Sequence, residues 1–243
     1  MSVDVQIPEA PKTAATPAFT LPSTPPLENG DYLTRDEFER RYTAMPNLKK
    51  AELIEGRVYV LLPAHSKYHG EPHAKIAGWL GVYSAYTPGV EGSNNATVRL
   101  DETNEPQPDA LLRIDEAGGG QTIIDSDGFL QGAPELIAEV AGSSASYDLR
   151  EKLFVYQHHG VQEYIVWSIY EQQLDWFRLQ AGEYARLRPD NDGIIRSRVF
   201  PGLWLDVEAL LKDDMAKVLS VLQQGLASPE HGEFIKRLAS ARS

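Results

Sequence analysis

Between Glu71 and Tyr86 the apolar residues Ile76, Trp79, Leu80, Val82 and Tyr83 recur at helical spacing, and Pro72 suits a first turn where its missing N–H costs nothing. One helix is predicted there. Val90 to Leu100 reads as a strand containing or flanked by the polar stretch Gly92 to Asn95, and Pro108 to Ile114 as a second strand with Asp109 at its start. In a third, Pro134 to Val140, alternation puts Leu136, Ala138 and Val140 on one face and Ile137 and Glu139 on the other. Glu163 to Tyr170 and Leu174 to Leu179 complete a sheet. Upstream, Thr34 followed by Glu37 fits a capping box, which predicts a helix from Arg35 to about Tyr42. The Glu55-Gly56 pair between apolar runs from Glu52 to Leu61 predicts a hairpin. Asp115 to Gly132 is read as a loop whose Gly118-Gly119-Gly120 makes a flexible hairpin tip, since no Lys-Ser or Lys-Thr follows as a P-loop requires. Ser146 can cap a helix from Tyr147 to His159, closed by Gly160. An apolar stripe from Asp206 to Leu226 and an N-cap with N1 proline at Ser228-Pro229 predict terminal helices that cover the sheet or a partner chain.

The 243 residues, 42% of them hydrophobic, suffice for one core without disulfide or structural metal. Cysteine is absent, which excludes thiolate metal sites, disulfides and a cysteine nucleophile. Residues Met1 to Gly30 carry Pro8, Pro11, Pro17, Pro22, Pro25 and Pro26 among small polar residues, the composition of a flexible arm without the apolar stretch of a secretory signal. No segment approaches the roughly 20 apolar residues that span a bilayer, so a soluble, cytoplasmic protein without membrane contact is expected. The net charge of -12 counts against wrapping duplex DNA over the whole surface, because such binding comes from Lys and Arg neutralising phosphates. A local basic groove remains open, and part of the acidity can be carboxylates that hold a divalent cation.

Asp109 at the start of one strand and Glu139 inside the next can converge, since opposed positions on neighbouring strands lie about 5 Å apart. Magnesium needs only one or two carboxylates beside waters and phosphate oxygens, so this pair would anchor it. Lys152, one helix after Glu139, can point its ammonium at the same spot; the competing reading is an i, i+4 ion pair with Asp148 on a solvated helix face. His65, His69 and His73 would align three imidazoles for zinc on one continuous helix, but Gly70 and Pro72 break it, and ordinary polar histidines are expected. Ser143 and Ser144 lack a nucleophile elbow and are read as loop. Tyr156 shares the helix face of Lys152 and either orients it or packs on the sheet. Trp167, Trp176 and Trp204 are assigned to the core or a subunit contact.

Taken in order, Glu52-Leu53-Ile54-Glu55-Gly56, His65, Pro108-Asp109, Pro134 to Val140, Asp148 to Lys152, Tyr156 and Gly160 to Trp167 resemble the Uma-type family of restriction endonuclease-like proteins. The resemblance runs from about Leu33 to Leu211. It implies the PD-(D/E)XK nuclease superfamily and an α/β (α+β) fold: a restriction endonuclease-like core with a mixed β-sheet flanked by helices and added C-terminal helices. It also implies Asp109 as the acid of the first half-motif, Glu139 as the acid of the second, Lys152 as a lysine relocated from strand to helix, Glu52 as an assisting acid, and His65 as a cleft residue. One departure stands out: Ala141 occupies the position where the superfamily carries its lysine. The expected organisation is an arm over 1–30, a nuclease-like domain over 31–211 and a helical extension over 212–243. Two functions are carried forward. One is a Mg2+- or Mn2+-dependent endonuclease acting on nucleic acid, DNA foremost, with Asp109 and Glu139 on the metal. The other is a catalytically inactive interaction module, in either case with a homodimer in view.

Overall fold

A computed structural model describes residues 24–61, 69–142 and 148–242. Most of the proline-rich arm, His65, Ser143, Ser144 and the Ser146 cap lie outside the described residues. Helix α1 (Arg35–Thr43) starts from the Thr34 carbonyl, which accepts from Phe38 N–H at 2.9 Å, but the Thr34 hydroxyl makes no capping bond. The reciprocal half of the expected box is missing because Glu37 turns to the guanidinium groups of Arg40 and Arg41, at 2.7 and 2.6 Å. Strands β1 (Ala51–Ile54) and β2 (Arg57–Val60) form the predicted antiparallel hairpin. Glu55 and Gly56 take φ of 51° and 76°, the left-handed pair that a two-residue turn between right-twisted strands requires.

Helix α2 (Glu71–Ala85) leads to β3 (Val90–Asn94), β4 (Val98–Arg99), β5 (Ala110–Ile114), β6 (Ile123–Ile124), β7 (Leu130–Gln131) and β8 (Leu136–Ala141). A π-helical turn, Asp148–Lys152, then runs into α3 (Leu153–His159), which ends at Gly160 in the left-handed conformation. The chain continues through β9 (Glu163–Ser168), β10 (Gln173–Gln180), β11 (Glu183–Arg186), β12 (Ile194–Arg196) and β13 (Trp204–Asp206) to helices α4 (Val207–Leu211), α5 (Met215–Leu226) and α6 (Pro229–Ala241). The main sheet has the order β11-β10-β9-β8-β5-β3 and is antiparallel except for β8 beside β9. A parallel pair needs a crossover, and the segment containing the π-turn and α3 supplies it. The fold is therefore mixed α+β, a mixed sheet flanked by helices. No helix among the described residues is long and apolar enough to cross a membrane.

Three local expectations are corrected. The strand expected over Val90 to Leu100 is two strands, because Asn95 turns the chain at φ 52° and β4 leaves the main sheet to pair with β7. β6 and β7 lie within the segment read as loop, and its Gly118 to Gly120 is no flexible tip: the Gly118 and Gly120 N–H groups bond Asp115 O, and a Cβ on Gly120 would stand 1.9 Å from Ile114 O. The stripe from Asp206 to Leu226 is divided at Asp213, at φ 66°, into α4 and α5, each capped by an aspartate, Asp206 and Asp214.

The sheet buries both faces. On one, Ala110, Leu112, Leu136, Ala138, Val140, Ile165 and Trp176 pack against α2 and the C-terminal helices, through Trp79, Tyr83, Val218, Leu222, Phe234 and Leu238. On the other, Leu111, Ile137, Ala141, Tyr164 and Val166 pack against Val155 and Tyr156 of α3 and Ile54 of β1. The predicted alternation in β8 therefore points Glu139 towards α3.

The hairpin is held to this second face by Leu53 and Glu105, whose backbones exchange hydrogen bonds of 3.2 and 2.7 Å. The Glu105 side chain is buried there. Burial first, and then the Glu39 carboxyl, push its pKa up to about 9 against the pull of Arg99 and Arg35. A carboxyl that keeps its proton in the folded chain while the unfolded chain releases it near pH 4.5 costs stability progressively from that pH up to about 9. Replacing Glu105 with Gln should remove this cost, raising stability at about pH 8 by up to about 5 kcal/mol and leaving stability at about pH 4 nearly unchanged. Urea unfolding across the range is the measurement; a parallel offset at every pH would mean that Glu105 does not titrate in this window.

Candidate active site

Glu139 projects from β8 beneath α3, and Lys152, the last residue of the π-turn, reaches the same point from above. Its ammonium donates to Glu139 Oε1 at 2.8 Å and to Glu52 Oε1 at 3.0 Å. All three side chains are at most 3% exposed. Tyr156, one turn along, donates its hydroxyl to the same Glu139 oxygen at 3.1 Å, and burial holds its phenol well above the usual range, so it stays a neutral donor. Glu52 Oε1 also accepts from Gln107 N–H at 2.8 Å, while Glu52 Oε2 is buried with no hydrogen-bond partner among the described residues. Carboxylates this deep hold their charge only with such partners.

Asp109 stands just before the first residue of β5, Ala110, which faces Ala138. Beyond that pair each acid is braced by the other strand's backbone. The Asp109 N–H donates to Glu139 Oε2 at 3.3 Å, and the Val140 N–H donates to Asp109 Oδ2 at 2.9 Å. Two further groups reach the same carboxylate: Lys50 Nζ at 3.2 Å from Oδ1 and His69 Nε2 at 3.3 Å from Oδ2. Burial would push the Asp109 carboxyl up, but the His69 hydrogen bond, the charges of Lys50 and His69 and the Val140 N–H outweigh it and hold the group well below the usual carboxylate range. His73 Nε2 lies 2.7 Å from the Asp109 carbonyl, which can only accept, so this nitrogen carries a proton.

The residues singled out in the sequence thus meet at one place on the α3 side of the sheet. Lys152 is no member of a solvated helix face, because the π-turn aims it inward. Ala141 is buried among Ile137, Val155 and Tyr156, with Lys152 entering from the crossover instead of from the strand. Lys50 is the residue that sequence reasoning passed over, and His69 and His73 were weighed only as zinc ligands. For Lys50 a signal existed: it lies two residues before Glu52, so a continuing strand puts both on one face. His69 and His73 were read as ordinary polar histidines, and both turn to Asp109. Among the described residues no three acids or histidines are arranged to ligate one ion. The donor set still fits magnesium or manganese, which takes one or two carboxylates beside water and phosphate oxygens, and Glu52 Oε2, without a partner among the described residues, is a further hard oxygen donor.

Replacing Lys152 with Ala would leave Glu52 and Glu139 facing each other without their shared cation. Loss of one partner from a buried ionic network costs about 3–5 kcal/mol. Equilibrium urea unfolding should show a drop of that size; a drop below about 1 kcal/mol would mean that water already solvates the pair.

The architecture has a solved counterpart. A protein from Anabaena variabilis, described as "a putative nuclease belonging to DUF820", superposes with a TM-score of 0.51 over 75% of this chain and 97% of its own, at 13% identity, a likeness of fold. No curated protein matches. The family model Uma2, described as "Putative restriction endonuclease", matches residues 35–208, which include α1, both faces of the main sheet, and Glu52, Asp109, Glu139 and Lys152. A match over that share of the sequence places this chain in the Uma2 family.

Proposed function

We propose that this protein is an endonuclease that hydrolyses phosphodiester bonds of nucleic acid, DNA foremost, with Mg2+ or Mn2+ held by Asp109 and Glu139. The observation that carries the reading is the buried Glu52–Lys152–Glu139 network braced against Asp109. Ionised groups this deeply desolvated are expensive, and two acids that exchange backbone braces across diverging strands form a ready anchor for a hard cation. Bound there, the ion would act as Lewis acid on a phosphate oxygen and lower the pKa of an attacking water. The chain's own groups do the rest. Lys152 orients Glu139 and places a positive charge where the pentacovalent phosphorus centre gathers negative charge. Glu52, locked by Gln107 N–H and Lys152, leaves its second oxygen to orient water. The water oxygen bonds to phosphorus, one ester P–O bond breaks, the water's proton passes to solvent and the departing oxygen takes a proton.

Purified protein should cut or nick single- or double-stranded DNA or RNA only when Mg2+ or Mn2+ is present. Asp109→Ala and Glu139→Gln should each lower the rate by at least about 10²-fold, beyond the 10- to 100-fold typical for an outer-shell partner. If all four substrates stay intact beside an active control, the catalytic reading fails. Absence of metal binding in calorimetry would then leave the alternative, a family member that keeps the fold as an interaction module.

A further inference from the structure

The charges at the site are zoned by depth. Glu52, Glu139, Asp109 and Lys152 have side chains at most 3% exposed, whereas Lys50 and His69, both on the Asp109 carboxylate, are 23% and 28% exposed. Among the described residues Lys50 is the one partner of Asp109 Oδ1, the oxygen that neither the Val140 N–H nor His69 uses. Three carboxylates face two ammoniums, which leaves one net negative charge before His69 is counted. A divalent cation would turn that to one net positive charge, and a phosphodiester would return it to zero. Burial disfavours the Lys50 ammonium, but the charges of Asp109, Glu52 and Glu139 outweigh it, so the group stays protonated. Its stem leaves the chain immediately before β1, two residues ahead of Glu52.

We propose that Lys50 is an exchangeable counter-ion and a substrate-binding residue: it covers Asp109 Oδ1 in the metal-free protein, yields that oxygen to the metal, and then binds a non-bridging oxygen of the scissile phosphodiester. The inference rests on Asp109 as a metal ligand. An ammonium and a divalent cation cannot share one carboxylate oxygen at bonding distance without strong repulsion. The displaced lysine has a long flexible stem and a partly solvated head, so it can swing towards the anion that the metal recruits. Lys152, enclosed between two carboxylates, has no such freedom. The two lysines divide the work: Lys152 orders the acids and lends its charge from a fixed place, while Lys50 moves to contact the substrate.

The consequence is a pair of effects with opposite signs. Lys50→Gln should bind Mn2+ at least about tenfold more tightly than the parent when no nucleic acid is present, because a competing charge has gone. The same variant should bind a short fluorescent DNA duplex in Ca2+ more weakly, and its slope of log affinity against log salt should fall by about 1, the mark of one lost phosphate contact. Lys50→Arg, which keeps the charge, should stay near the parent in both. Calorimetry and fluorescence anisotropy supply the readouts. In the parent itself, Mg2+ should shift the NMR signal of the Lys50 ammonium, a measurement that does not depend on any variant folding. Equal or weaker Mn2+ binding by Lys50→Gln, an unchanged salt slope, or a Lys50 signal indifferent to Mg2+ would each overturn the proposal while leaving Asp109 as a ligand. A parent protein that binds no Mn2+ would overturn the metal site and this proposal together.

Discussion

The constraint on which the site depends is the Lys152 ammonium buried between Glu52 and Glu139. Each of the three loses its water at that depth and must recover the loss from its partners. The requirement is architectural as much as electrostatic. Glu52 sits on a separate two-stranded hairpin, Glu139 on a central strand of the main sheet and Lys152 on the crossover that β8 and β9 need to lie parallel. One ammonium therefore joins three elements that share no hydrogen-bonded ladder.

Around that contact the fold separates support from exchange. The face of the sheet turned towards α2, α5 and α6 carries the large apolar cluster closed by Trp79, Tyr83, Trp176 and Phe234, with the buried Glu163 bonded to Trp176 and Ser197. The approach of α5 to the segment before β13 is tight: Gly225 and Gly202 meet so closely that a Cβ on Gly225 would stand 2.2 Å from the Gly202 carbonyl. Asp109 and Glu139 then occupy the point where the two strands leave their last pair and brace each other's carboxylates with backbone N–H groups. The opposite face carries every charged group of the site, with the permanently enclosed ones below and the partly solvated Lys50 and His69 above. The acids are thus fixed by the fold, and the two partly exposed groups lie over them.

Local features of the chain were legible because they follow from nearest neighbours. The helix over Glu71–Ala85 and the Glu55-Gly56 turn are examples, as is the inward side of β8. Each depends on a period or on a left-handed turn residue. The ordered motifs also made the family legible. Less visible were the short strands β11 to β13, where solvated residues break the alternation, and the division of the stripe after Asp206, where a single residue at φ 66° decides the break.

The sequence by itself determined which residue types were on hand for chemistry and on which side of their own strand or helix they would lie. Only the tertiary structure decided which of them meet. Lys152 and Glu52 are 100 positions apart, Lys50 and Asp109 are 59 apart, and Glu52 and Gln107 are 55 apart. No local period carries information over such distances. Their meeting is set by strand order, by the parallel pairing of β8 with β9 and by the Leu53–Glu105 bridge that docks the hairpin. The reading of Lys152 as one half of an exposed i, i+4 pair came from helical spacing, which cannot register that a π-turn aims the residue inward. Burial made the difference: a lysine on a solvated face gains little from a carboxylate, whereas one enclosed by the sheet must have two.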